Sequence, residues 1–131
     1  MALGKIKADT LEHSTAGSLD TSYVVNGSTK AWINFDGTGT ISIRDSFSVS
    51  SIDDDGTGLY GYNLSNAMSD ANYNCNSNAA RNVDGSSIST SNRSAASIPE
   101  NGTSVLIGAR NMSNAAVDCE QMHGNIHGDL A

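Results

Sequence analysis

At 131 residues, with a single proline and a formal net charge of −7, the chain is sized for one domain and is clearly acidic. That balance excludes nucleic acid and anionic membrane as principal partners. Lys5, Lys7, Lys30, Arg44, Arg81, Arg93 and Arg110 are scattered and form no basic stripe. Ser, Asn, Thr and Gly make up roughly 43% of the chain, while Leu, Ile, Val and Phe together stay below about 20%. A core this thin must offset about 1–2 kcal/mol of backbone entropy per residue, so association between copies is the expected remedy.

The opening segment, residues 1–22, places Leu3, Ile6 and Leu11 among Lys, Asp, Glu and His. It is too short and weakly patterned to fold alone. It reads as an extended arm or a single helical turn that docks on another protein through those three apolar residues, or that covers a sheet edge of its own subunit. It has no apolar leader core, and nowhere is there an apolar run long enough to span a bilayer, so a soluble protein without a cleaved leader is expected.

From Tyr23 a two-residue period takes over and predicts a β domain over 23–131. Tyr23-Val24-Val25 reads as a strand ending in the hairpin dipeptide Asn26-Gly27. Ala31, Ile33 and Phe35 alternate with Trp32 and Asn34, and Asp36-Gly37-Thr38-Gly39 turns the chain. Ile41 and Ile43 alternate with Ser42 and Arg44, and Phe47 and Val49 with Ser46, Ser48 and Ser50. A second Asp-Gly-Thr-Gly turn follows at 55–58, after which Tyr60, Tyr62 and Leu64 share a face. Ser65 to Ala71 is a helical turn or loop, and Tyr73 and Cys75 begin a further strand. Residues 76–102 carry few apolar markers, at Val83, Ile88 and Ile98, with turns at Asp84-Gly85 and Asn101-Gly102; they predict long loops around one or two weak strands. Val105-Leu106-Ile107, then Val117 and Cys119, then Ile126 complete the pattern. Strands about ten residues apart predict an all-β fold, a small antiparallel β-sandwich or barrel with an N-terminal extended arm.

Cys75 and Cys119 lie 44 positions apart and, without a secretory leader, are expected as buried thiols rather than a disulfide. His123-Gly124-Asn125-Ile126-His127 has an i,i+4 histidine spacing. The glycines argue against a helix and the acidic residue of a zinc-protease motif is missing, so a polar pair is expected rather than a metal site. Asp53-Asp54-Asp55-Gly56 resembles a calcium loop, but the twelfth residue from Asp53 is Leu64 where a glutamate is needed. No Gly-x-Ser-x-Gly elbow exists and no carboxylate pair stands out, so no catalytic residues and no cofactor are expected. Sequons such as those at Asn26, Asn92, Asn101 and Asn111 arise by chance in an Asn- and Ser-rich chain. Trp32, Tyr60, Tyr62 and Tyr73 could form a sugar-stacking platform, but aromatics in half-buried strands more often fill a core or a subunit contact. That environment is therefore expected for Trp32, Ile33, Phe35, Ile41, Ile43, Phe47, Val49, Tyr60, Tyr62, Tyr73, Val105, Ile107 and Val117.

The stretch Asn26-Gly-Ser-Thr-Lys-Ala-Trp-Ile-Asn-Phe-Asp-Gly-Thr-Gly39, its continuation through the second Asp-Gly-Thr-Gly to Tyr60, and Ala67-Met-Ser-Asp-Ala-Asn-Tyr73 resemble small tail-fibre or virion-surface proteins of marine tailed bacteriophages. So do the opening Gly4-Lys-Ile-Lys-Ala-Asp-Thr-Leu11 and the closing Gly128-Asp129. The resemblance covers residues 1–75 well and the rest poorly. It implies a non-enzymatic, β-rich homotrimer, assembled in the bacterial cytoplasm and carried on a virion. Such a protein would project from the particle, anchor to other phage structural proteins through the arm, and contact the host surface, a glycan included. Two alternatives stand beside it: a capsid decoration or head-fibre (cement) protein that stabilises the head, and a carbohydrate-binding module.

Overall fold

The computed structural model describes residues 4, 7–80, 93–111 and 113–131. Thr10–His13 (β1) and Gly17–Asp20 (β2) pair as an antiparallel hairpin in a sheet of their own, with every residue exposed. His13 closes the connection: its Nδ1 accepts from the backbone N–H groups of Thr15 and Ala16 at 3.3 and 3.1 Å. Asp20 then caps a helix, α1 (Thr21–Gly27), by accepting from the Ser22 N–H at 2.8 Å. The same bond holds the Asp20 carboxyl below its usual range.

Two expectations are corrected here. The opening segment, expected as an extended arm or a single helical turn, turns back as a hairpin from Thr10, and Tyr23-Val24-Val25 is helical, with Asn26-Gly27 at the end of that helix and not in a hairpin turn. Three apolar residues in a row fit either period, and the Asp20 cap decides between them. Leu3 and Ile6 lie outside the described residues, as do Val83, Ile88 and the Asp84-Gly85 turn.

Among the described residues eight further strands follow: β3 (Thr29–Asp36), β4 (Ser42–Phe47), β5 (Val49–Gly56), β6 (Leu59–Leu64), β7 (Asn74–Ala80), β8 (Arg93–Pro99), β9 (Ser104–Asn111) and β10 (Gln121–His127). They form two antiparallel sheets, ordered β4-β3-β10-β7 and β5-β6-β9-β8, packed together as an all-β sandwich. The alternating run from Ile41 to Val49 does not stay in one sheet. Ser48 adopts a left-handed φ of 57° between β4 and β5 and carries the chain across. Ser65 to Ala71 is a loop, in which the Met68 N–H donates to Gly102 O at 2.6 Å.

The core is the set of inward positions of both sheets. Ala31, Ile33, Phe35, Ala79, Met122 and Ile126 come from the first, and Tyr60, Tyr62, Leu64, Val105, Ile107 and Ala109 from the second. Met68, Tyr73 and Cys119 close it from connections. Each large side chain contributes about 1.5–3 kcal/mol by leaving water. Gly124 faces this core, where an added Cβ would stand 3.3 Å from both the Ile107 Cδ1 and the Tyr62 Oη. Cys75 and Cys119 are not bonded to each other.

The two Asp-Gly-Thr-Gly turns meet at one buried hydroxyl. Tyr60 packs edge-on against Phe35, ring centroids 5.2 Å apart. Its Oη donates to the Gly37 carbonyl at 2.7 Å, in the first turn, and lies 3.0 Å from the Asp118 Oδ1. That same carboxylate oxygen accepts from the Gly58 N–H, in the second turn, at 2.7 Å. Both glycines are required by space. A Cβ on Gly37 would sit 2.5 Å from the Tyr60 hydroxyl, and one on Gly58 would sit 2.6 Å from the Ala109 carbonyl, at a φ of +66° that side chains disfavour. Outside the node, Asp36 accepts from the Thr38 hydroxyl and N–H at 2.6 and 2.9 Å, which holds its carboxyl below the usual range. A bulge between Asn34 and Phe35 frees Arg44 to pair with Asp36 at 2.9 Å.

Removing the Tyr60 hydroxyl by Tyr60→Phe leaves the Gly37 carbonyl unsatisfied and is expected to cost about 1–3 kcal/mol in urea unfolding, with the slope unchanged. Gly58→Ala is expected to cost more, because strain and a backbone clash add; equal stability of either variant to wild type would refute the node. Alkali gives a second test. Burial pushes the Tyr60 and Tyr62 hydroxyls up, and that of Tyr73 up to about 12. Tyrosines of the unfolded chain ionise near pH 10, so above that point the unfolded state holds fewer protons than the folded one. Stability is therefore complete below about pH 10 and is lost as pH rises toward 12, which melting curves across that interval should show as a falling midpoint.

Candidate functional site

The residues expected in the core or at an interface fall into three groups. Ile33, Phe35, Tyr60, Tyr62, Tyr73, Val105 and Ile107 are buried, and Ile41, Val49 and Val117 are partly buried against them. Trp32, Ile43 and Phe47 are exposed, at 36%, 37% and 56%. Three of the four aromatics considered as a sugar platform are thus inside, and Trp32 alone of them reaches the surface.

Trp32 stands on the outer face of the first sheet, directly opposite Phe47 of β4 on one side and Asn125 of β10 on the other. The register extends this into a grid. Trp32, Asn125 and Asn76 form one row across β3, β10 and β7, and Asn34, His123 and Asn78 form the next. Side chains opposite one another in such rows stand about 4.5–5.5 Å apart at Cβ. Together they line an open depression of about 320 Å³. The Asn34 side-chain oxygen there is buried and has no hydrogen-bond partner among the described residues. The sequence alternation puts Asn34 on the same face as Trp32, but nothing in it assigns a role to any of the four asparagines. The signal was present in Asn72-Tyr-Asn-Cys-Asn-Ser-Asn78, where amides recur every second residue as one face of a strand.

His123 and His127 do point the same way from β10, but their surroundings differ. His127 is occupied, with Nδ1 3.3 Å from the Gly27 carbonyl and Nε2 3.5 Å from the Thr29 hydroxyl, so it ties the end of α1 to the sheet. No cluster of three His, Cys, Asp or Glu fit to hold a metal occurs among the described residues. The Asp53-Asp54-Asp55 run belongs to β5, an edge strand, where Asp53 accepts from the Asn63 side chain at 2.7 Å. Carboxylates along an edge discourage pairing with foreign strands, which accounts for the run without a ligand.

A second exposed region is the hairpin and helix. Leu11, Leu19, Tyr23, Val24 and Val25 are all exposed there, Tyr23 at 69%, and α1 has no buried residue. The segment is held to itself by the Thr21 hydroxyl, which donates to the Ala8 carbonyl at 2.7 Å. It is held to the sandwich by the Lys30 ammonium, which donates to the Val25 carbonyl, and by His127.

These positions predict a contrast in stability. Phe35→Ala should cost about 3–5 kcal/mol by opening a cavity, whereas Trp32→Ala and Phe47→Ala should cost less than about half as much. Urea midpoints of the three variants check it; a Trp32→Ala loss equal to that of Phe35→Ala would place the indole in the packing. Compared with protein families, curated proteins and solved structures, the chain matches none.

Proposed function

We propose that this chain is a non-enzymatic structural protein of a tailed-phage virion, a projecting, tail-fibre-like surface component that assembles as a homotrimer and is mounted through its N-terminal segment. The observation that carries the reading is the hairpin and helix over residues 10–27. They hold five large apolar side chains outside any core. Exposed apolar surface of this kind in a short segment beside a complete sandwich is the expected form of a docking element. The sandwich has its own interior and does not need those side chains, so the two parts have separable tasks. The resemblance of residues 1–75 to virion-surface proteins supplies the class of particle.

Leu11, Leu19, Tyr23, Val24 and Val25 then form the contact with other copies and with the larger phage proteins. Packing three copies together there would cover apolar side chains that one copy leaves in water. The scarcity of large aliphatic residues fits the same scheme, because subunit contacts extend a thin core. A capsid decoration protein would use the same element and would differ only in what it touches.

Mass photometry at micromolar concentration is expected to give the mass of three 13.6 kDa chains, and Val24→Ser with Val25→Ser is expected to release monomers whose sandwich still melts cooperatively. A wild-type monomer with unchanged stability on dilution would overturn the assembly. Electron microscopy of particles carrying a tagged copy should show label at the tail; label on the head would assign decoration instead, and unlabelled particles would remove the virion reading altogether.

A further inference from the structure

We propose that the outer face of the β4-β3-β10-β7 sheet binds a neutral pyranose, with Trp32 as the stacking surface and Asn34, Asn76, Asn78, Asn125 and His123 as its polar rim. The inference goes beyond the virion reading and does not depend on where the protein is mounted. It rests on three observations about the same patch. One exposed indole stands at the end of a row that continues in amides, Trp32, Asn125 and Asn76, with a second row of Asn34, His123 and Asn78 alongside. The six side chains line a single open depression of about 320 Å³, at the small end of the range for ligand sites, about 300–1,000 Å³. The Asn34 side-chain oxygen is left without a partner among the described residues although it is buried.

The chemistry of the lining selects the ligand. A pyranose has a face of C–H groups, apolar and faintly positive, that rests on the negative face of an aromatic ring. Its edge carries neighbouring hydroxyls, each both donor and acceptor. A carboxamide offers two donors and an acceptor in one plane, so it can answer a pair of hydroxyls with a bond in each direction. Four such groups are grouped around one indole here. Strands about 4.8 Å apart spread the three columns over about 10 Å, which suits one or two sugar rings and is broad for a smaller polyol.

Charge excludes the rival ligands. No Lys or Arg lines the depression among the described residues, so a phosphate or an acidic sugar would meet no guanidinium or ammonium there, and His123 is the one lining side chain that can carry a positive charge. The row of Asn34 continues into Asp45 of β4, which would repel an anion. A purely apolar partner would leave the amides dehydrated and unpaired.

Trp32 is the only tryptophan of the chain, so fluorescence excited selectively at tryptophan, beyond tyrosine absorption, reports on this site alone. The full-length protein is titrated with the methyl glycosides of glucose, galactose, mannose and N-acetylglucosamine. The expected result is a saturable change in emission for at least one of them in the millimolar range, as befits a shallow site. Asn125→Ala and Asn78→Ala should weaken that binding about tenfold with an unchanged melting midpoint. Trp32→Ala should abolish the saturation-transfer NMR signal of the sugar. Emission indifferent to all four glycosides would overturn the proposal, as would full affinity in both asparagine variants. So would a wild-type indole already shielded from acrylamide, which would mean that a second copy covers the face.

Discussion

A single buried hydroxyl, that of Tyr60, ties together the parts of this molecule that are far apart in sequence. It reaches the Gly37 carbonyl in one Asp-Gly-Thr-Gly turn, and it shares the Asp118 carboxylate with the Gly58 N–H of the other. The two turns begin on opposite sheets, so their meeting fixes how the sheets sit face to face. The arrangement also tolerates nothing larger than glycine at either contact. A sandwich with few large aliphatic side chains gains its specificity here from polar groups that must be satisfied, since an unpaired buried carbonyl costs about as much as a lost methyl or two. Burial and the neighbouring carboxylate keep the hydroxyl protonated, which is the state the node requires.

With that closure in place, the first sheet presents a face that the core does not use. The alternation that sends Ile33 and Phe35 inward sends Trp32 and Asn34 outward, and the same holds for His123 and Asn125 on β10 and Asn76 and Asn78 on β7. Chemistry on this face therefore comes from the register of three strands and not from any loop. The hairpin and helix are the other region left outside, joined to the sandwich through Lys30 and His127. One surface is amide-rich with one indole, the other aliphatic. We propose different tasks for them, recognition of a polar ligand and burial against protein.

Much of the sandwich was legible in sequence because a strand with one buried face writes its period of two into the residues. Ala31, Ile33 and Phe35, and again Tyr60, Tyr62 and Leu64, each share one face in the sequence pattern, and the structure buries both sets; the pattern alone does not tell Ile33 from Trp32 as the inward residue. The misreadings came where that period is too short to test. Tyr23-Val24-Val25 contains no polar alternation, and the Asp20 cap makes it a helix. Phe47 and Val49 obey the alternation across Ser48, yet the left-handed serine puts them in different sheets. The asparagines of β7 were passed over because amide-rich strands resemble loops when composition is the guide.

By itself the sequence determined the all-β class, the turns at Asp-Gly-Thr-Gly and the alternating sets Ala31, Ile33, Phe35 and Tyr60, Tyr62, Leu64, because these follow from local backbone preference and from a period of two. That Trp32, Ile43 and Phe47 stay outside while Met68, Ala109 and Met122 enter the core was decided by packing. That Trp32 also stands beside amides of β10 and β7 was decided only by tertiary structure. Strand order and register place β10 between β3 and β7, and a one-residue slip would have sent Trp32 inward and left Ile33 on the surface. The convergence of two turns of the same sequence on Tyr60 and Asp118 is of the same kind. Each turn is a local event, but their meeting depends on the packing of two sheets whose contacts lie more than twenty residues apart in the chain.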